Sequence, residues 1–297
     1  MSSKIEDVDE ILQKYAQVTG VDIDEIRELY ENELKDPFYE KDDEYKDPNK
    51  KQRYALAVVK AKLHNYRPAV ALDVMPIGIE PVRQMKKSGV NFVQLHAYVS
   101  RHGEEPKRAV IAAYGDDNIE KARNVSLFVL YNNVKIVFQN DRYSIDTRTI
   151  FTNPTMIPSL GSVESKIQFL EKHGVKLIDS ISDLRKNLST RESATNYIVR
   201  TDYRMFRGLV SRVTRGTTKT DNPFSVVEVT DINDTEYEQL DSEGNVIKST
   251  VVAWCNDIFG DYQLGTEVVI LGTVDLDKDK NPFINAINVL VTKERGD

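Results

Sequence analysis

Cysteine occurs once in the 297 residues, at Cys255, which excludes an internal disulfide and any cysteine-rich zinc site and fits a reducing compartment. Histidine is nearly as sparse. His64, His96, His102 and His173 are scattered, with no two at metal-ligand spacing, so no metal is expected. No apolar run approaches the roughly 18 residues of a membrane-spanning helix. The N-terminus is rich in Ser, Lys and Glu rather than basic and then apolar, so the expectation is a cytoplasmic protein with no membrane partner.

Chemical signatures are missing as well. There is no glycine-rich phosphate loop followed by Lys-Ser/Thr, no Gly-x-Ser-x-Gly elbow and no cysteine with a neighbouring histidine. Tyr114-Gly115-Asp116-Asp117 spells a motif of reverse-transcriptase-type polymerases, but two adjacent aspartates lack the further carboxylate that two-metal chemistry needs. No catalytic residue and no cofactor is expected.

What is present is unevenly charged. The net charge of −7 divides into 16 Asp+Glu against 7 Lys+Arg over residues 1–50, 14 against 23 over 51–200, and 17 against 10 over 201–297. Affinity for phosphates depends on local clusters of Lys and Arg, so the basic middle matters more than the total.

Residues 1–35 read as a helical hairpin: Ile5–Gln17 carries an apolar stripe stopped at Gly20, and Asp22 caps a second stripe through Ile26, Leu29, Tyr30 and Leu34. Residues 36–64 read as a charged linker containing Phe38, Tyr39 and Tyr45, followed by a helix from Lys51 to His64 without a single acid.

From Tyr203 to Val291 the pattern changes to strands. Met205–Val213, Phe224–Thr230, Ser249–Trp254, Glu267–Val274 and Phe283–Val291 alternate apolar and polar, with a loop from Thr214 to Pro223 and a short irregular or helical piece at Asn256–Gln263. Residues 65–152 repeat that order: a proline-interrupted strand through Val70, Leu72 and Val74, then Val90–Val99, Arg108–Tyr114, a short helix at Glu120 and Lys121, Val125–Phe138 and Tyr143–Phe151. Five strands with one helical break predict an OB-fold, a small Greek-key barrel. The expected architecture is therefore mainly β with a helical N-terminal segment: two OB-fold five-stranded barrels, at 65–152 and 199–297, joined by a partly helical connector over 153–198.

Phe206-Arg207-Gly208 at the start of the second barrel, Val251-Val252-Ala253-Trp254 as its third strand and the run Leu264–Gly272 before its last hairpin resemble the OB-folds of replication protein A, particularly the archaeal single-strand binders. The resemblance implies a single-stranded DNA-binding protein, associated with the nucleoid, that coats and protects DNA in replication, repair and recombination. It also implies docking of other replication or repair proteins by the acidic N-terminal helices. Some archaeal members carry a zinc finger, which this chain, with its one cysteine, cannot build. Two alternatives stay open: a scaffold whose barrels dock protein partners, and an RNA-binding protein.

Bases stack on aromatic rings beside a positive groove, so candidate binding residues are aromatics on strands and cations in the flanking loops. In the second barrel these are Arg207, Arg212, Arg215 and Lys219, in a stretch with no acid between Tyr203 and Thr220, and the aromatics Phe224, Trp254 and Phe283. Arg207 and Arg212 have opposite strand parity, so both face one groove only across a bulge. In the first barrel the candidates are Arg83, Lys86 and Lys87 between strands one and two, Arg142 and Tyr143 between strands four and five, and Phe92, Tyr131 and Phe138 on the strands.

Overall fold

The computed structural model describes residues 8–293 except 20, 42, 65–68, 102–103, 140–141, 153, 190–191, 195–196, 200–201, 220, 232–237, 241, 245, 249 and 256–261. Ile5, the stop at Gly20, His102 and most of the piece Asn256–Gln263 lie outside the described residues. The chain divides into two compact units, Met1–Val70 with Val137–Asp141 and Ala71–Ile136 with Arg142–Asp297.

The first unit is helical: α1 (Val8–Thr19), α2 (Ile23–Leu34), α3 (Phe38–Lys41) and α4 (Pro48–His64). The Asp22 carboxylate accepts from Asp24 N at 2.8 Å and caps α2. Leu12, Ile26 and Tyr30 from the first two helices pack against Ala55, Leu56, Val59 and Leu63 of α4, so the expected hairpin is completed by a third helix. The expected linker is ordered in part. Phe38, Tyr39 and Tyr45 close on Tyr54 with ring centroids 5.1–6.3 Å apart, supplying the apolar area that the surrounding charges concealed in the sequence.

The second unit holds both barrels. The first consists of β1 (Ala69–Ile79), β2 (Asn91–Ser100), β3 (Lys107–Tyr114), α5 (Asp116–Arg123), β4 (Val129–Gln139) and β5 (Arg142–Ile145). Its order is β1-β2-β3-β5-β4, with β4 returning to β1 and β3 parallel to β5, which is the OB-fold topology. Pro76 does not end β1: it sits at a register shift between Pro76 and Gly78, where a missing N–H costs no ladder bond. β5 stops short of the expected Phe151 because Asp146 turns the chain, its carboxylate accepting from Arg148 N at 2.9 Å.

The connector supplies α6 (Val163–Lys172), capped by Ser162, then β6 (Lys176–Ile178) and α7 (Ile181–Lys186). The second barrel follows as β7 (Arg204–Thr217), β8 (Pro223–Thr230), β9 (Thr250–Cys255), β10 (Glu267–Leu276) and β11 (Pro282–Lys293). Its order, β8-β9-β11-β10-β7 with β7 closing on β8 and β9 parallel to β11, repeats the first. Phe206, Val227, Val229, Val251, Ala253 and Ile270 fill it, and Ile181 and Leu184 of α7 join that core. Thr214–Thr217, expected as loop, extends β7 because it pairs with Pro223–Val226, leaving a turn of few residues.

The barrels are fused. Met75, Ile77 and Tyr98 on the outer side of the first pack with Met205, Val269, Leu271, Ile287 and Leu290 of the second and with Ile167 and Leu170 of α6. Each such buried aliphatic contributes about 1.5–3 kcal/mol, so the junction restrains the barrels as one body. Gly78 permits the approach, since a Cβ there would lie 2.5 Å from Ile287 O, and Asn288 Nδ2 donates to Ile77 O at 2.9 Å. His96 is hydrogen-bonded to the Tyr203 hydroxyl and, through Nε2, to Glu80 at 3.0 Å.

Candidate nucleic-acid interface

Strand alternation decides which side chains leave each barrel. In β8, Ser225, Val227 and Val229 are buried while Phe224, Val226 and Glu228 alternate with them; in β9, Val251, Ala253 and Cys255 are buried while Val252 and Trp254 face out. Parallel pairing sets Phe283 opposite Val252 and Asn285 opposite Trp254. Phe224, Trp254 and Phe283 therefore share one outer face spanning β8, β9 and β11. The Phe224 and Trp254 rings are 5.1 Å apart, Trp254 is 43% exposed, and Phe224 lies against Gly216, where a Cβ would come within 3.0 Å of the ring. Cys255 beside them is buried, which pushes its thiol up to about 12 and leaves it a neutral packing group.

The cations are divided by the same geometry. A register shift between Val210 and Arg212 supplies the bulge, and Arg212 returns to the outer side with Arg207. Arg207, however, lies 3.9 Å from Asp179 and 3.8 Å from Glu267. Nine residues separate it from Gly216, about 30 Å of strand, so it does not sit beside the aromatic face. Arg212 is 68% exposed with Glu228 at 3.7 Å, Arg215 is exposed next to Gly216, and Lys219 is exposed in the following turn. Arg212 and Lys219 border the aromatics, whereas Arg215 pairs with the inward-facing Ser225 and leaves the sheet on the side opposite Phe224.

The first barrel presents a smaller version of this face. Phe92 opens β2, Tyr114 closes β3, and the two are direct cross-strand partners with stacked rings 6.0 Å apart. Arg83 pairs across from Phe92 and holds Glu80 at 3.0 Å, while Lys86 and Lys87 are exposed on the turn closed by Met85 N to Val90 O at 2.9 Å. The rest of the outer side of β2 is covered: Gln94, His96 and Tyr98 are buried, and Tyr98 packs on Phe169 and His173 of the connector. Burial and, secondarily, the Glu80 charge raise the Tyr203 phenol, so it stays protonated opposite His96.

Four expected residues do not join this face. Tyr131 is 3% exposed and its hydroxyl accepts from Ser126 N at 2.8 Å, so its ring closes a turn inside the fold and cannot stack a base. Phe138 is half-buried near the end of β4, a strand that pairs with neither β2 nor β3. Tyr143 pairs with Ile111, whose side chain points into the barrel, and Arg142 is half-buried at the start of β5.

Tyr114 was not among the expected residues. Its signal was its place, since Tyr114-Gly115-Asp116-Asp117 stands where Trp254-Cys255-Asn256-Asp257 stands in the second barrel. Gly115 turns at φ 77° and Asp116 and Asp117 begin α5, where their charges complement the helix dipole. No group of three or more His, Cys, Asp or Glu arranged for a metal occurs among the described residues. No helix among them is long and apolar enough to cross a membrane.

No protein-family model matches the sequence, and no curated protein matches it. Among solved structures, a replication protein A heterotrimer bound to ssDNA is 7% identical with TM-score 0.42; the likeness covers 78% of this chain and 50% of that chain, so this chain spans about half its length. The wild-type single-stranded DNA binding protein from Thermus aquaticus is 10% identical with TM-score 0.23, covering 77% of this chain and 95% of that chain. The second OB-fold domain of replication protein A from Methanococcus maripaludis is 11% identical with TM-score 0.20, covering 32% of this chain and 87% of that one. The fold assignment rests on the strand order and closure of this chain itself: two OB-fold barrels fused through a buried apolar junction.

Proposed function

We propose that the protein binds single-stranded DNA by stacking bases on two aromatic platforms, Phe224–Trp254 with Phe283 on the second barrel and Phe92–Tyr114 on the first. Lys86, Lys87, Arg212 and Lys219 supply the charge that meets the backbone. It acts without catalysis, coating and protecting DNA in replication, repair and recombination in the manner that its resemblance to archaeal replication protein A implies. The observation that carries this reading is the repetition of one device: in each barrel an outward aromatic ends the third strand and stacks on one at the start of the second, beside a basic turn. Stacking of this kind is worth about 1–3 kcal/mol per base and is tolerant of sequence.

Fluorescence anisotropy of a labelled oligo-dT, at low and moderate salt with duplex DNA and oligo-U as competitors, tests the proposal. Salt-sensitive binding that duplex and oligo-U compete poorly supports it; absence of binding at low salt refutes it. Effective competition by oligo-U would instead favour the RNA reading.

A protein-docking role is favoured by one separate observation in the helical unit, the stacked pair Phe38 and Tyr54, 48% and 42% exposed. Recruitment of another replication protein through these helices is tested by a pull-down comparing the full chain with a form lacking residues 1–50.

A further inference from the structure

The two barrels meet around a cleft of about 400 Å3, within the roughly 300–1,000 Å3 range of small-molecule sites. Asn91, Asp116, Glu120 and Arg123 line it from the first barrel, Asn222 and Pro223 from the second, and Asn222 Nδ2 donates to Asn91 Oδ1 at 3.3 Å. The lining residues are chain neighbours of the platforms. Asn91 precedes Phe92, Asp116 follows Tyr114 by two residues, and Pro223 precedes Phe224. The cleft therefore adjoins the strand ends that carry both platforms, and a base seated in it has neither platform beneath it.

The chemistry of the cleft selects what enters. Asp116 and Glu120 stand one turn apart on α5, both exposed, against the one guanidinium of Arg123. Two carboxylates disfavour a phosphate, which directs the backbone outside and a base inward. Carboxylates only accept hydrogen bonds, so they favour a base edge made of donors. Guanine alone among the bases carries two adjacent donors, N1–H and the 2-amino group, on its Watson–Crick edge, in the spacing that a carboxylate accepts in bidentate fashion. Its O6 and N7 acceptors suit the Arg123 guanidinium or an asparagine amide. We infer that the cleft between the barrels is a guanine-selective subsite for the base that crosses from one platform to the other. The inference rests on the single-strand reading above.

The test is anisotropy titration of the full chain with three labelled oligonucleotides of equal length: all dT, the same with one central dG, and the same with one central deoxyinosine, which keeps N1–H and O6 but lacks the 2-amino group. The dG strand is expected to bind about tenfold more tightly than all dT, the order of one bidentate base contact, with deoxyinosine between them. In Asp116→Asn and Glu120→Gln, both exposed positions, the dG advantage falls to within about twofold while all-dT affinity is kept or rises. Excess free dGMP leaves the dG complex intact; displacement by it would assign the cleft to a free nucleotide and overturn the strand-borne site. Equal affinity for dT and dG strands in the unaltered protein overturns the inference alone, whereas no binding of all dT overturns the reading on which it rests.

Discussion

Phe92 and Tyr114 are direct partners across β2 and β3, their rings stacked with centroids 6.0 Å apart on the outer face of the first barrel. Trp254 stands at the end of β9 as Tyr114 stands at the end of β3, each with an aromatic of the preceding strand beside it. The first platform is the smaller, since Gln94, His96 and Tyr98 further along the outer side of β2 are buried.

Tyr114→Ala is therefore expected to weaken oligo-dT binding by about 5- to 150-fold, the range of one lost stacking contact, with little loss of stability because the ring is half-exposed. Tyr131→Phe is the contrasting variant. It removes a partly buried hydrogen bond from Ser126 N, costs about 0.5–1.5 kcal/mol of stability and leaves affinity unchanged. Anisotropy and thermal unfolding of both proteins check the pair.

The salt dependence separates the two arginines on β7. Arg212→Ala is expected to reduce the slope of log affinity against log salt by about one phosphate contact, whereas Arg207→Ala leaves it unchanged because Arg207 lies far along β7 from the aromatics and faces two carboxylates, Asp179 and Glu267, against the single Glu228 beside Arg212. Titrations at several salt concentrations measure both slopes.

Gly78→Ala probes the junction. The added methyl group would lie 2.5 Å from Ile287 O, a backbone atom that yields only by separating the barrels, so a loss of about 1–3 kcal/mol is expected in denaturant unfolding. An unchanged midpoint would mean that the barrels shift freely past one another.

Strand patterning made the architecture readable in advance. Ser225, Val227 and Val229 alternate with outward neighbours as a half-buried strand must, and the short helix after Tyr114 falls where an OB-fold places one. What the sequence concealed is tertiary. Tyr131 and Trp254 are both aromatics on strands, and local pattern carries no information on which side the neighbouring elements cover. Pro76 suggested a broken strand because a bulge that accommodates proline leaves no signature of its own. The linker around Phe38 looked too charged to order because the partner ring, Tyr54, lies on a later helix.

Alkaline pH is expected to destabilise the fold. Burial raises the Cys255 thiol from 9.0 to about 12 and raises the Tyr203 phenol, so the folded state favours the protonated form of each. For such groups the stability is fully present below the unfolded values near 9 to 10 and is lost as pH climbs through the raised folded values. Thermal midpoints should fall between about pH 8 and pH 11; a flat or rising profile would contradict the assigned burial.

Trp254 is the single tryptophan of the chain and lies on the larger platform, so its emission reports directly on whether bases stack there. Titrating the protein with oligo-dT at low salt while following that emission should give saturable quenching that weakens as salt is raised. Unchanged emission and unchanged oligonucleotide anisotropy in the same titration would contradict the account.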